Sequence, residues 1–298
     1  MNTPLPTTIA QYLQQLRAAL AGADPALIQD ALYDAEEHLR SELAENPGVS
    51  EAEMLARVVG SYGAPEEVAA IYRDTEVKVQ RALRPPRPRP GRGPLAAFFG
   101  VIADARSYGA LFYMLLALAT GIFYFTWTVT GLSLSAGFAV LIIGIPFIIL
   151  FFASVRVLAL VEGRLVEVML GVRMPRRPAS SARGLPLLKR IGAMFTDPRT
   201  WGTLLYLLLM LPLGIAYFTL AVTGITLSLS LIAVPFLQAF GIAPTTINDV
   251  QYFWPLWTLP LSLLGGVLLF FIVLHMARGI GWLHGHLAKH LLVKLGGQ

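Results

Sequence analysis

The sequence predicts an all-α integral membrane protein. Four transmembrane helices form two parallel-repeat helical hairpins, and a small cytoplasmic helical bundle precedes them. Three observations predict this. Only 14% of the 298 residues are charged and 55% are hydrophobic, and the charge deficit is local. No Asp, Glu, Lys or Arg occurs from Ser107 to Ser154, and only Asp249 occurs from Thr200 to Ala277. Such stretches exceed the ~20 apolar residues that cross a bilayer. Second, LATGIFYFTWTVTGLSLS, from Leu118, is nearly repeated as LPLGIAYFTLAVTGITLS, from Leu211. Third, charge is segregated: residues 1–78 carry net −8, and the remainder carries net +13.

Residues 1–79 form the acidic bundle, with about four helices expected from residue 7 onward. Tyr12, Leu13, Leu16 and Leu20 share one face of the first. Asp24-Pro25 supplies an N-cap and first turn for the second, which carries Leu27, Ile28, Leu32, Leu39 and Leu43 and ends at Asn46-Pro47-Gly48. Ser50 and Glu53 have the spacing of a capping box for the third. The fourth opens at Gly63-Ala64-Pro65-Glu66-Glu67 and should turn Val68, Ile71 and Tyr72 inward. His38, among Glu36, Glu37 and Arg40, reads as part of a solvated face.

Within this unit, YLQQLRAAL, ALYDAEEHLRSEL and GAPEEVAAIYR resemble the HAAS-type bacterial signalling domain. The resemblance implies a cytoplasmic regulatory or docking module without catalytic groups.

Residues 80–95 are an Arg/Pro-rich linker. Alternating Pro and Arg favours an extended spacer. Arg84, Arg87, Arg89 and Arg92 are candidate contacts for anionic lipid and fix this end of the first span inside. The opening MNTPLPTTIAQYLQQL lacks the pattern of a cleavable signal, so the first span itself is expected to direct insertion.

Membrane repeat 1 covers 96–172, a basic cytoplasmic loop 173–188, and membrane repeat 2 189–298, with an extracytoplasmic insertion at 237–256. Arg106–Ser135 and Arg199–Ser228 match at 17 of 30 positions without a gap. At this offset of 93, Tyr113 meets Tyr206, Gly121 meets Gly214, and Tyr124 meets Tyr217. A second register, at offset 122, pairs Arg156 with Arg278, Gly163 with Gly285 and Leu170 with Leu292. Each first span is expected to end in the polar turn Thr-Gly-x-(Ser/Thr)-Leu-Ser. LIIGIPF, from Leu141, is echoed by SLIAVPF, from Ser230. Lys and Arg fall before span one, between spans two and three, and after span four, which places both termini in the cytoplasm of a bacterial inner membrane.

The duplicated pattern, with DPRTW followed by YLLLMLPLGIAYF, resembles the four-span sensor membrane domain known from actinobacterial histidine kinases. The resemblance implies a sensing module that feeds a cytoplasmic output. The kinase H-box and ATP-binding boxes have no counterpart here, so only sensing or scaffolding carries over. The expected protein is a non-enzymatic sensor or regulator. The alternatives are a small lipid or amphiphile transporter and a membrane scaffold. Expected partners are the bilayer and a cytoplasmic or membrane protein such as a regulator or kinase. Nucleic acid is not among them, because the basic charge is juxtamembrane. No cofactor is expected, and the sequence sets no oligomeric state.

Candidate site residues are hydroxyls in the first span of each repeat: Tyr113, Thr120, Tyr124 and Thr126, with Tyr206, Tyr217 and Thr219. In hydrocarbon they either line a pocket for a hydrophobic ligand or lipid, or support helix packing around Gly121 and Gly214. His286 and His290 have the i, i+4 spacing of a metal pair, without a carboxylate or Cys to complete it. Together with His284 they fit an inner-surface amphipathic helix. Glu162 and Glu167 read as solvated groups in the corresponding helix of repeat 1.

Overall fold

A computed structural model of the chain describes residues 5–83, 93, 98–141, 144–178, 192 and 195–293. Four helices, α1 (Ile9–Ala19), α2 (Pro25–Glu45), α3 (Glu51–Ser61) and α4 (Pro65–Leu83), make the N-terminal bundle. Local chemistry sets their ends. Thr8, Asp24 and Ser50 each accept a hydrogen bond from a backbone N–H of the first turn, and Glu53 completes the capping box. Tyr12, Leu16, Leu20, Leu39 and Leu55 are wholly buried at the centre. Tyr12 Oη donates to the Gly63 carbonyl (2.9 Å), which ties α1 to the turn before α4.

Two expectations fail in this bundle. Ile71 is 62% exposed, because the inward face of α4 runs through Val68 and Tyr72. Glu36 is buried and paired with Arg40, and His38 stacks on Tyr62 with ring centroids 4.3 Å apart.

The membrane unit has four helices long and apolar enough to cross a bilayer: α5 (Ala105–Phe138), α6 (Gly144–Leu170), α7 (Pro198–Ala239) and α8 (Thr258–Leu292). At 1.5 Å per residue even α6 spans about 40 Å, so helix ends extend past a ~30 Å hydrocarbon core. Asp104 and Asp197 cap α5 and α7 by accepting from the Arg106 and Arg199 N–H groups. Tyr108 Oη donates to the Ile102 carbonyl, and Trp201 Nε1 to the Phe195 carbonyl. These pairs are equivalents at offset 93, so the duplication extends to capping detail.

α5 and α7 cross where no side chain intervenes. A Cβ on Gly121 would strike the main-chain carbonyl of Met210, and one on Gly214 that of Ala117. Ala117 and Met210 are themselves equivalents, so an approximate two-fold axis passes through the crossing. Small residues at such crossings let helices pack closely in a bilayer, where no hydrophobic force drives them together.

The expected polar turn after each first span does not form. Thr130–Ser135 and Thr223–Ser228 are helical, inside α5 and α7. In water these residues favour turns, but in hydrocarbon the helix persists because it satisfies its own backbone. Ser228 Oγ then donates across to the Gly266 carbonyl (3.1 Å). The Pro motifs also part company: Pro146 lies in α6, whereas Pro235 lies within α7, which continues past it and past Pro212. The insertion holds a small antiparallel hairpin, β1 (Thr245–Ile247) and β2 (Val250–Tyr252), turned by Asn248 and Asp249 at positive φ. Gln238 anchors it through two hydrogen bonds with the Trp254 backbone.

Candidate functional site

Four of the seven hydroxyl candidates meet at one place. Tyr113 and Tyr124 project from α5, and Tyr206 and Tyr217 from α7. They converge on Glu162 of α6 and His284 of α8, both 0% exposed. Tyr113 Oη lies 2.6 Å from Glu162 Oε1 and 2.6 Å from His284 Nε2. Tyr206 Oη makes the same two contacts at 2.8 Å. Tyr124 Oη donates to Glu162 Oε2 (3.0 Å), and Tyr217 Oη pairs with His284 Nδ1 (3.3 Å).

This arrangement follows the duplication. The offset of 122 that aligns Arg156 with Arg278 also carries Glu162 onto His284. Each repeat therefore contributes two tyrosines and one ionisable group from its second helix. The first tyrosine of each repeat bridges both ionisable groups, and the second touches only that of its own repeat. The reading of Glu162 and His284 as interfacial, solvated groups is thus overturned. Their helices do have polar faces, but these two positions turn toward the axis between the repeats.

One arrangement of protons is consistent with every contact. Three tyrosine O–H groups donate to Glu162, which fits a carboxylate acting only as an acceptor. The Tyr113 and Tyr206 oxygens then accept from Nε2–H of His284, leaving Nδ1 to accept from Tyr217. Every polar atom is satisfied with a carboxylate and an Nε2–H imidazole. Such a closed network in a low-dielectric interior fixes a unique arrangement, and loss of one member leaves costly orphans.

The remaining candidates stand apart. Thr120 Oγ1 donates to carbonyls of its own helix, Leu116 and Ala117. Thr126 and Thr219 face outward. His286 and His290 are exposed, with His286 Nδ1–H donating to the Trp282 carbonyl. Among the described residues, no three His, Asp or Glu side chains gather in a metal-binding group. Arg84, Arg87, Arg89 and Arg92 lie outside the described residues.

A second polar site adjoins the first. Five residues after Glu162, about 7.5 Å along the same helix, Glu167 is also buried. Glu167 pairs with Arg164 and takes Arg173 Nη1 at 3.5 Å and Arg176 Nη2 at 3.6 Å. Arg173, 8% exposed, reaches into the N-terminal bundle, with Nη2 to Asp30 Oδ2 (2.9 Å) and Nε to Glu76 Oε2 (3.2 Å). Burial lowers the Arg173 pKa, but Asp30 and Glu76 outweigh it and raise the value, so the guanidinium stays charged. Asp30 Oδ1 also accepts from the Arg176 and Arg177 backbone N–H groups (2.6 and 2.8 Å). Arg177 pairs with Asp34 (2.8 Å), and Lys289 of α8 pairs with Asp24. The acidic bundle thus docks on the basic ends of the membrane helices.

Comparison with known proteins agrees with this division. Residues 113–292 match the Sensor family model, described as "Putative sensor", and residues 11–71 match the HAAS model. No curated protein and no solved structure matches the chain.

Proposed function

Because the chain belongs to the Sensor family and carries a HAAS domain ahead of it, we propose that it is a non-enzymatic signalling protein of a bacterial inner membrane. Its four-span domain responds to a membrane or envelope cue, and the HAAS bundle is the output, docked in one state and free for a protein partner in another. The distribution of Lys and Arg supports placing the bundle and both termini in the cytoplasm.

One observation carries this reading. Glu162 and Glu167 lie on one helix, the first in the inter-repeat cluster and the second against the arginine that holds the bundle. A rotation or shift of α6 that rearranges the cluster therefore moves the docking contact with it. Two alternative packings of a rigid element are what couples distant sites.

Hydrogen exchange on the full chain in nanodiscs tests the coupling. Glu162→Gln is expected to raise exchange across α2 near Asp30, in the other unit, while α5 and α7 stay protected. Unchanged α2 exchange in a folded E162Q protein overturns the reading.

A further inference from the structure

The two repeats treat one ion pair differently. Asp104 Oδ2 of repeat 1 and Arg278 Nη1 of repeat 2 are 3.3 Å apart. Their equivalents, Asp197 and Arg156, form no such pair among the described residues. They line a cavity of about 70 Å³ at the junction of α2, α6 and α7. Arg199 lines it too, with its Nε buried and without a hydrogen-bond partner among the described residues, while its Nη1 donates to Gln29 Oε1 (3.1 Å). Arg156 has no polar partner among the described residues.

Among the described residues, the lining thus holds two guanidinium groups against one carboxylate. Asp197 is already engaged as the cap of α7. The buried hydroxyl residues Thr200 and Thr203 lie alongside, and Leu160 and Leu292 form apolar wall. A buried guanidinium donor without an acceptor is costly. Paired arginines with hydroxyls fit phosphate oxygens, which accept several charge-assisted hydrogen bonds at once. Basic pockets between membrane helices suit lipid headgroups for the same reason.

We propose that this cavity binds a phosphate oxyanion. The apolar wall favours one carried by an inner-leaflet phospholipid, with the acyl chains running out along α6. The bound group touches Arg156 and Arg199 of the membrane domain beside Gln29 of the bundle, so it bridges the docked units. This goes beyond the signalling reading and does not depend on it, because the test reads binding alone.

The test uses the purified full chain. Native mass spectrometry in detergent scores retained phosphatidylglycerol, and equilibrium dialysis scores radiolabelled inorganic phosphate. The wild type is expected to hold phosphatidylglycerol, with about tenfold loss in R156Q and in R199Q, as expected for a charged hydrogen bond. R278Q, at the closed equivalent position, is expected to retain it. Lipid retention without phosphate binding identifies the bilayer as the source, and phosphate binding identifies a soluble one; both require the two arginines. Should R199Q fail to fold, R156Q and R156K carry the test, with Lys preserving part of the retention. Failure to bind either probe, or equal binding in wild type and R156Q, overturns the proposal.

Discussion

Glu162 and His284 occupy equivalent positions in the two repeats and meet through the same two hydroxyls, those of Tyr113 and Tyr206. Duplication of one hairpin placed two polar positions opposite each other across an axis, and one now carries a carboxylate and the other an imidazole. The pair forms a single network instead of two like charges in hydrocarbon.

Removing the acceptor should be severe. Glu162→Ala leaves three buried tyrosine hydroxyls without their acceptor and is expected to cost about 3 kcal/mol or more. Glu162→Gln keeps one acceptor oxygen and should cost about 1–2 kcal/mol. Thermal unfolding in detergent, followed by tryptophan fluorescence, gives the order wild type, E162Q, E162A. Equal midpoints for all three would show that the network contributes nothing to stability.

Arg173 is the buried cation between three carboxylates, Asp30, Glu76 and Glu167. Arg173→Met leaves these acids facing one another and should weaken docking by about 3–5 kcal/mol. Limited proteolysis should then release the bundle faster, without loss of the membrane domain. Identical digestion patterns would place the docking energy elsewhere.

The α5–α7 crossing depends on backbone contact at Gly214 and Gly121. Gly214→Leu drives a side chain into the Ala117 carbonyl and must part the helices. The expected cost is about 1–3 kcal/mol from overpacking, with further loss as the tyrosines separate. Val, Ala and Leu substitutions at Gly137, which has open space around it, provide the comparison and should be nearly neutral in the same unfolding assay.

Tyr72 gives the bundle an alkaline limit. Burial first, and then Asp34, which its hydroxyl donates to at 3.0 Å, raise its pKa above the ordinary 10.0. A raised folded-state value means that the folded chain holds the proton more tightly. The contribution is therefore fully present below pH 10 and is lost as pH rises beyond it. Hydrogen exchange of α2 and α4 should show destabilisation above pH 10, and Tyr72→Phe should flatten that dependence. An equally steep dependence in Y72F would assign it to other groups.

Much of this was legible in the sequence, for physical reasons. Uncharged length marked the four spans, identity at offset 93 marked the parallel repeats, and the tyrosines stood out because hydroxyls in hydrocarbon need partners. Glu162 and His284 were harder to see. Each sits among charged or polar neighbours, Arg164 and Glu167 or His286 and Lys289, so helical periodicity alone made them solvated. The available signal was that offset 122 superposes them at the level of the tyrosines. The Thr-Gly turn failed for a different reason: turn preferences measured in water do not hold where water cannot take the freed backbone groups. Thr126 and Thr219 lie two residues beyond Tyr124 and Tyr217, about 200° around the helix, which turns them outward. Arg173 reads from the sequence as one more topogenic arginine, because two of its three carboxylate partners, Asp30 and Glu76, lie more than 90 residues away in another domain.

The central claim is that the bundle rests on the membrane domain through Asp30 and Arg173 and can be released from it. The chain has no cysteine, so spin labels can be placed cleanly at the exposed positions Glu37 and Trp282. Pulsed electron paramagnetic resonance in nanodiscs then gives the distance between bundle and α8. One narrow distribution is expected for the otherwise wild-type chain, replaced by a broad and longer one when Asp30→Arg is added. A broad distribution without Asp30→Arg, or a narrow one that Asp30→Arg leaves unchanged, would contradict the account.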